Sequence, residues 1–198
     1  KLYGAIKGAG RPVEAIAINA GVGVGGSFVA DTKLEDELNL IQLNVASTVH
    51  LAKRVLPDMA ARGKGRVLFT ASVAGTMPTP LEAVYGASKA FVLSFAESMR
   101  YELQDKGVSV TALLPGPTDT NFFHRAGMDD TQVGSEGKEE NDPADVARQG
   151  FEALMAGKEK VVAASFKTKA QQVVGNVLPD SAKAAQHKSM AEPGSAKH

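Results

Sequence analysis

The sequence predicts an α/β fold in which helices cover both faces of a parallel β-sheet. Four short, β-rich apolar runs alternate along the chain with longer segments whose apolar residues recur at helical spacing. The apolar runs are nearly continuous, as is typical of strands buried on both faces. Strands that alternate with helices favour parallel pairing, because each helix returns the chain to the same end of the sheet. The 198 residues are enough for a single domain with one core.

The first strand and the first long helix lie on either side of a glycine cluster. Residues 13–19 form an apolar run and predict a buried strand. Thr32 and Glu35 have the spacing of a capping box, which predicts that a helix starts here and continues over about 33–62. Its apolar residues recur at helical spacing: Leu34, Leu38, Ile41, Val45, Val49, Ala52 and Leu56.

The middle of the chain predicts a strand, a long helix and another strand. Residues 66–71 form the second β-rich run, and a loop rich in glycine and proline follows it. A helix is expected from about 81 to 106, with Gly107 as its stop. Residues 108–114 then predict the third strand.

The next segment predicts a loop, a helix and the fourth strand. The polar stretch 118–141 has no clear period, and we expect a mobile loop with one short helix. Asp142 as cap and Pro143 at the first helical position predict a helix to about residue 155. Residues 160–164 predict the fourth strand.

The end of the chain is expected to be less ordered. Residues 166–177 predict a helix, and the polar remainder is expected to fray at its end. This pattern divides the chain into a domain over 1–178 and a polar tail over 179–198.

The composition argues against several classes of partner. The 22 basic and 22 acidic residues cancel, so no long-range field indicates binding to nucleic acid or to an anionic membrane. No apolar run approaches the roughly 20 residues that a membrane helix needs. The absence of cysteine excludes disulfides and thiolate metal sites, and it suits a reducing compartment such as the cytoplasm. The four histidines lack metal-ligand spacing, so we expect no metal site and four surface side chains: His50, His124, His187 and His198.

The glycine cluster at 21–26 matches the letters of the dinucleotide motif G-x-G-x-x-G. That motif requires its last glycine to open a helix whose N-terminus faces the pyrophosphate. Here the helix signals begin only after Thr32. The cluster instead favours a loop whose backbone passes close to another group.

Tyr85 and Lys89 form the pair with the clearest chemical meaning. Residues four apart on a helix lie on one face, about one turn from each other. A cation near a phenol lowers its pKa from about 10, and a phenol tuned in this way can exchange a proton at physiological pH. The alternative is a half-buried tyrosine beside a solvated lysine.

Five features, in their order along the chain, resemble the short-chain dehydrogenase/reductase family. They are Asn19-Ala20-Gly21 after a strand, Asn44 in a helix, Ser72 after the next strand, the pair Tyr85 and Lys89, and Pro115-Gly116 with Thr120. The gap of 13 positions between Ser72 and Tyr85 also matches the family. The resemblance covers about residues 13–165 and implies a doubly wound, Rossmann-like sheet.

The resemblance implies a site for proton transfer. Tyr85 would be the general acid/base at the substrate oxygen, and Lys89 would lower its pKa and hold the ribose hydroxyls of the cofactor. Ser72 would hydrogen-bond the substrate oxygen, where charge develops. Asn44 would help to order a water chain to Lys89; the alternative is an asparagine that pairs with backbone on a helix face.

The resemblance also implies a cofactor, NAD or NADP. Three residues would lie near its adenine and the attached ribose: Asn19, Ala20 and Gly21. Ile18 stands where the family usually has a further asparagine. Pro115 and Gly116 would cradle the nicotinamide end, and Thr120 would bind its carboxamide; a plain turn is the alternative.

The implied activity is hydride transfer between NAD(P)(H) and a carbonyl compound or alcohol. Phe122, Phe123 and Met128 lie where the family has its substrate loop, and they would supply an apolar wall for a moderately hydrophobic substrate. The alternative is a loop that packs its own hydrophobic residues. Because the family commonly pairs its two long helices across a two-fold axis, a homodimer or homotetramer is also implied.

Two rival hypotheses come from the front of the chain. The family's Thr-Gly-x-x-x-Gly-x-Gly turn, and the strand that distinguishes NADH from NADPH, are not among these residues. The sequence begins at Lys1 without methionine, so we expect either a fragment of a longer protein or a protein whose front was not observed. An inactive fragment is therefore one alternative to an active oxidoreductase. The other is a non-catalytic cofactor-sensing or scaffold protein that keeps the same constellation of residues.

Overall fold

A computed structural model describes residues 2–135, 141–163 and 178–196. Its centre is a sheet of four parallel strands in the order β1-β2-β3-β4. The strands are β1 (Ala15–Ile18), β2 (Gly65–Thr70), β3 (Val108–Pro115) and β4 (Lys160–Ala163). All four lie where the sequence predicts them, and the predicted α/β fold is confirmed.

Seven α-helices, apart from a short helical stretch over 132–135, connect and cover these strands among the described residues. They are α1 (Leu2–Gly8), α2 (Leu34–Ile41), α3 (Ser47–Arg62), α4 (Ala83–Leu103), α5 (Phe122–Arg125), α6 (Pro143–Met155) and α7 (Asp180–Ala191). A π-helical turn over Gln42–Ala46 joins α2 to α3, so the helix predicted over 33–62 is continuous. Within the described ranges, no helix combines the length and apolarity that crossing a membrane requires.

Helices pack on both faces of the sheet. On one face, Met59 of α3 and Val92 of α4 belong to the same buried cluster as Phe69 of β2. On the other face, Leu68 of β2 packs with Val146 of α6. Successive strand residues point to opposite faces, which is why a continuous apolar run predicts a strand covered on both sides.

Two predictions about helix starts have different outcomes. Asp142 caps α6 as predicted, because its side chain accepts a hydrogen bond from the Ala144 N–H at 2.6 Å. The capping box at the start of α2 is wrong. Lys33 is the N-cap residue and has no side-chain cap bond, while the buried Thr32 hydroxyl has no hydrogen-bond partner among the described residues.

Most of the described part of the polar tail is helical, and the predicted fraying of its end stays a prediction. Residues 180–191 form α7, and Ala191 packs in a buried cluster with Phe123 and Met128. A few apolar side chains on one helix face anchor this segment, although most of its residues are polar. The helix predicted over 166–177 lies outside the described residues.

Two glycines with left-handed backbone lie in contact and offer a test of the packing between α3 and β3. Gly63 and Gly107 have φ values of +65° and +66°. A Cβ at Gly107 would lie 2.0 Å from the Gly63 carbonyl oxygen, whereas a Cβ at Gly63 would meet nothing within 4 Å.

We expect G63A to lose about 1–2 kcal/mol of unfolding free energy, because its backbone conformation disfavours a side chain. G107A should lose about 1–3 kcal/mol more, because its methyl group also displaces the other loop. Urea unfolding of both variants measures the difference. Equal losses would show that the two loops separate freely.

Candidate active site

A cavity of about 620 Å³ opens at the carboxyl ends of the parallel strands. Asn19 follows β1, Ser72 follows β2, and Pro115 ends β3, and all three line this cavity. Ligands of open α/β sheets bind at this edge, because the loops that follow the strands converge there. The cavity is therefore the candidate active site.

Helix α4 presents Tyr85 and Lys89 to the cavity from its first two turns. Both side chains are buried, with exposed fractions of 9% and 5%. The start of the helix packs tightly against the preceding loop, because a Cβ at Gly86 would lie 2.0 Å from the Thr79 hydroxyl oxygen. The predicted pair is thus present on one helix face and removed from bulk water.

Lys89 makes one direct hydrogen bond to the described protein. Its Nζ donates to the Thr70 carbonyl at 2.9 Å and lies 5.9 Å from the centroid of the Tyr85 ring. Burial lowers the pKa of Lys89 from 10.5 to about 8. The ammonium has further N–H donors that remain available to a ligand in the cavity.

The pKa of Tyr85 is raised above its ordinary value of 10, chiefly because burial disfavours the phenolate. A hydrogen-bonding interaction with Ser72 lowers the pKa, and the charge of Glu82 raises it. The phenol therefore lacks the lowered pKa that the sequence analysis expects, because desolvation outweighs the effect of Ser72. A lowering of this pKa by Lys89 stays a prediction. The Tyr85 ring also packs against Phe122, with ring centroids 5.2 Å apart.

Asn44 lies in the π-helical turn between α2 and α3 and joins two elements of the site. Its amide oxygen accepts the Val22 N–H at 2.9 Å, and its amide nitrogen donates to the Val22 carbonyl at 2.9 Å. The same nitrogen donates to the Ser88 hydroxyl on α4 at 3.0 Å. Single π turns often occur at functional sites.

The glycine cluster is the close-approach loop that the sequence predicts. A Cβ at Gly21 would lie 3.1 Å from Lys89 Nζ and 3.3 Å from the Asn44 amide oxygen. The next helix begins only at Leu34, so the cluster does not open a helix as a dinucleotide motif would.

The remaining predicted cofactor residues differ in their surroundings. Asn19 accepts a hydrogen bond from the Thr70 hydroxyl at 2.8 Å, while Ala20 is exposed and does not line the cavity. Pro115 and Gly116 line the cavity. Thr120 also lines it, and its hydroxyl accepts the Phe122 N–H at 3.2 Å.

The predicted apolar wall is present in part. Phe122 and Phe123 line the cavity. Met128 does not, because it packs in a buried cluster and contacts the backbone at Gly25, where a Cβ would lie 2.4 Å from the methionine side chain. The loop therefore both lines the cavity and packs its own hydrophobic residues.

Among the cavity-wall residues that the sequence analysis missed are two ionisable ones that pair with each other, Glu82 and His187. His187 was expected at the surface, but it is 5% exposed and lies 3.1 Å from Glu82. The position of Glu82, three residues before Tyr85, is a signal that the sequence contains. No such signal exists for His187, which is 105 residues away from its partner.

Comparisons with known proteins point to one family. Residues 1–131 match the family model described as short chain dehydrogenase. The chain is 34% identical over 126 residues to an uncharacterized short-chain type dehydrogenase/reductase of Sinorhizobium fredii, covering 64% of this chain and 50% of that protein. It is 38% identical over 113 residues to sulfoacetaldehyde reductase 2 of Chromohalobacter salexigens, covering 57% of this chain and 45% of that protein. The chain thus spans about half the length of these curated relatives.

Solved structures agree in fold. A short-chain dehydrogenase from Sphingobium yanoikuyae in complex with NADPH matches with a TM-score of 0.72 and 26% identity, covering 89% of this chain and 71% of that one. A 7β-hydroxysteroid dehydrogenase matches with a TM-score of 0.73, covering 88% of this chain and 67% of that one. At 22% identity, this match supports the fold alone.

The burial of Lys89 predicts a measurable effect on stability. Between about pH 8 and 10.5 the unfolded chain binds more protons at this lysine than the folded chain, so the stability of the wild type rises with pH in this window. We expect K89M to be more stable than the wild type at pH 7, by about 2 kcal/mol after the lost hydrogen bond is counted. The difference should shrink as the pH approaches 10.

Urea unfolding at pH 7 and pH 10 measures this difference, with K53M at an exposed position of α3 as the control. A difference that is independent of pH would contradict the assignment of a buried, desolvated ammonium group.

Proposed function

This chain belongs to the short-chain dehydrogenase family, and from that premise we propose that it is an NAD(P)-dependent oxidoreductase that interconverts a carbonyl group and an alcohol. The observation that carries the proposal is the convergence of Ser72, Tyr85 and Lys89 on one cavity at the carboxyl edge of the sheet. These three residue types supply a hydrogen-bond donor, a proton-transfer group and a cation around one reacting oxygen.

Tyr85 passes a proton to the substrate oxygen during reduction and takes it back during oxidation. Ser72 donates a hydrogen bond to the same oxygen and stabilises the charge that develops on it. The burial of both hydroxyls strengthens these interactions, because little water competes for them. The phenol of Tyr85 is protonated at neutral pH, so it holds the proton that the reduction requires.

The residues around Lys89 fit a nicotinamide cofactor. The ammonium has free N–H donors for ribose hydroxyls, and the missing side chain at Gly21 lets the backbone approach it closely. We assign the adenine side to Asn19, Ala20 and Gly21, and the nicotinamide side to Pro115, Gly116 and Thr120. The bound cofactor would supply or accept the hydride. The choice between NAD and NADP stays open.

The apolar part of the cavity wall supports a moderately hydrophobic substrate. Phe122 and Phe123 belong to α5, and Val146 of α6 and Met190 of α7 add further apolar surface. A pocket that is largely apolar with a few polar groups is typical of small-molecule sites. The cytoplasm remains the expected compartment, because the lack of cysteine suits reducing conditions.

We also propose that the chain self-associates through α2 and α4. Phe28, Ile41 and Phe91 are between 40% and 59% exposed and line one shallow apolar cleft between these helices. Leu34 and Leu38 on α2 are more exposed still, at 71% and 53%. An exposed apolar face of this kind is typical of protein–protein interfaces.

Replacing Tyr85 by Phe removes the proton-transfer group and keeps the ring that packs against Phe122. We expect Y85F to lose at least about 100-fold in turnover of ketone substrates with NADPH or NADH, while the fold is retained. Cofactor absorbance at 340 nm measures turnover, and circular dichroism checks the fold. A wild type without turnover would favour a non-catalytic cofactor-binding protein or an inactive fragment, and undiminished turnover in Y85F would refute the assignment of the acid.

Replacing Phe91 by Glu places a charge in the apolar cleft between α2 and α4. We expect F91E to be monomeric at micromolar concentration, while the wild type is a dimer or tetramer, because burying an unpaired charge opposes association. Light scattering measures the mass. Y101E is the control, since Tyr101 is 76% exposed on the same helix and lies outside the cleft. An unchanged mass in F91E would rule out this interface.

A further inference from the structure

A buried hydrogen-bonded pair joins the end of the chain to the first turn of α4. Glu82, the N-cap residue of α4, is 3% exposed, and His187 of α7 is 5% exposed. His187 Nε2 and Glu82 Oε2 are 3.1 Å apart. An ionised carboxylate only accepts hydrogen bonds, so we take His187 as the donor of this contact and Glu82 as the acceptor. Both side chains line the same cavity as Ser72 and Tyr85.

The second carboxylate oxygen of Glu82 has no such partner. Oε1 is buried, and no described residue donates a hydrogen bond to it. Buried polar atoms are nearly always hydrogen-bonded, so an unmet acceptor in a ligand cavity indicates a donor that a ligand supplies. Desolvation makes this oxygen a strong acceptor for a donor that reaches it.

The backbone holds Glu82 in one place. Its N–H donates to the Thr79 carbonyl at 3.0 Å, and the Thr79 hydroxyl donates to the Glu82 carbonyl at 3.1 Å. The preceding residue, Leu81, has a φ of +68°, and its carbonyl accepts the Gly26 N–H at 2.8 Å. A left-handed leucine is strained and persists only where its surroundings fix it, and such residues cluster at ligand sites. The acceptor is therefore preorganised.

Glu82 also lies close to the proposed chemistry. It precedes Tyr85 by three residues, which places both side chains on the same side of the first helical turn. Its charge acts on the Tyr85 phenol. A group bonded to Glu82 is thus near the oxygen that Tyr85 would protonate.

We propose that Glu82 recognises the substrate by accepting a hydrogen bond from a hydroxyl group next to the reacting carbonyl. His187 is the positioning residue, because it holds the other carboxylate oxygen and so orients the free one. The substrate class is a hydroxyketone, or the corresponding diol in the reverse direction, on an otherwise apolar body. This inference rests on the proposed function, because it names the substrate class of the same cavity.

Two matched ketones test the proposal. 2-Hydroxyacetophenone carries the hydroxyl donor, and 2-methoxyacetophenone carries a methyl group in place of that proton. Isothermal titration calorimetry with the whole chain, in the presence and absence of NADP⁺, measures their affinities. We expect the hydroxyketone to bind about tenfold more tightly, the size expected for one hydrogen bond to a charged acceptor.

The variant E82Q keeps the shape of the side chain and can still accept from His187. Its amide nitrogen then faces the free position as a donor, so we expect the preference for the hydroxyketone to disappear or reverse. The matched control is E97Q, since Glu97 lies on the same helix, pairs with Lys160 at 3.2 Å and does not line the cavity. E97Q should keep the tenfold preference.

Equal affinities for the two ketones in the wild type, including no binding of either, would overturn the proposal. A preference that survives in E82Q would overturn it as well. If E82Q does not fold, the affinities of the wild type for the two ketones still test the proposal. Because the readout is binding, hydroxyketone binding without turnover would refute the proposed function alone, and turnover of ketones without a hydroxyl preference would refute this inference alone.

Discussion

Desolvation of the first two turns of α4 is the constraint on which the site depends. Tyr85 and Lys89 are both buried, and burial favours the neutral form of each side chain. The pKa of the phenol is therefore raised, and the pKa of the ammonium group is lowered to about 8. Burying ionisable groups opposes folding, so the surrounding helices and strands must supply the compensating stability. Titratable groups perturbed in this way, inside a cavity at the carboxyl edge of a sheet, are characteristic of catalytic sites.

Asn44 links the parts of the molecule that maintain this arrangement. Its side-chain amide forms hydrogen bonds with the backbone of Val22 in the glycine loop and with the Ser88 hydroxyl of α4. These bonds connect the continuous helix α2–α3 to the loop and to α4. A direct role in ordering water near Lys89 stays a prediction, while pairing with backbone, the alternative reading of this residue, is present in the structure. The two are compatible, because an asparagine that fixes the loop also fixes the Gly21 backbone beside Lys89.

Most of the fold was predictable because it rests on local patterns. The four strands and the helices over 34–62, 83–103 and 143–155 follow from apolar periodicity, which reflects the faces that each element buries. The capping box failed because Thr32 and Glu35 have the right spacing but the chain enters the helix one residue later. Helix α7 was not predictable from the polar composition of the tail, because its burial depends on a cluster that Ala191 forms with Phe123, which is distant along the chain.

The sequence by itself determined the α/β class, because side-chain period is a local property of the chain. Its resemblance to a known family selected Ser72, Tyr85 and Lys89 as candidates, and these three residues line one cavity in the structure. Only the tertiary structure decided which ionisable side chains are buried away from water and which of them are hydrogen-bonded to each other. The raised pKa of Tyr85 and the contact between Glu82 and His187 arise from segments that are distant along the chain and adjacent in space. Burial and long-range pairing depend on how elements pack, and no spacing within one element encodes them.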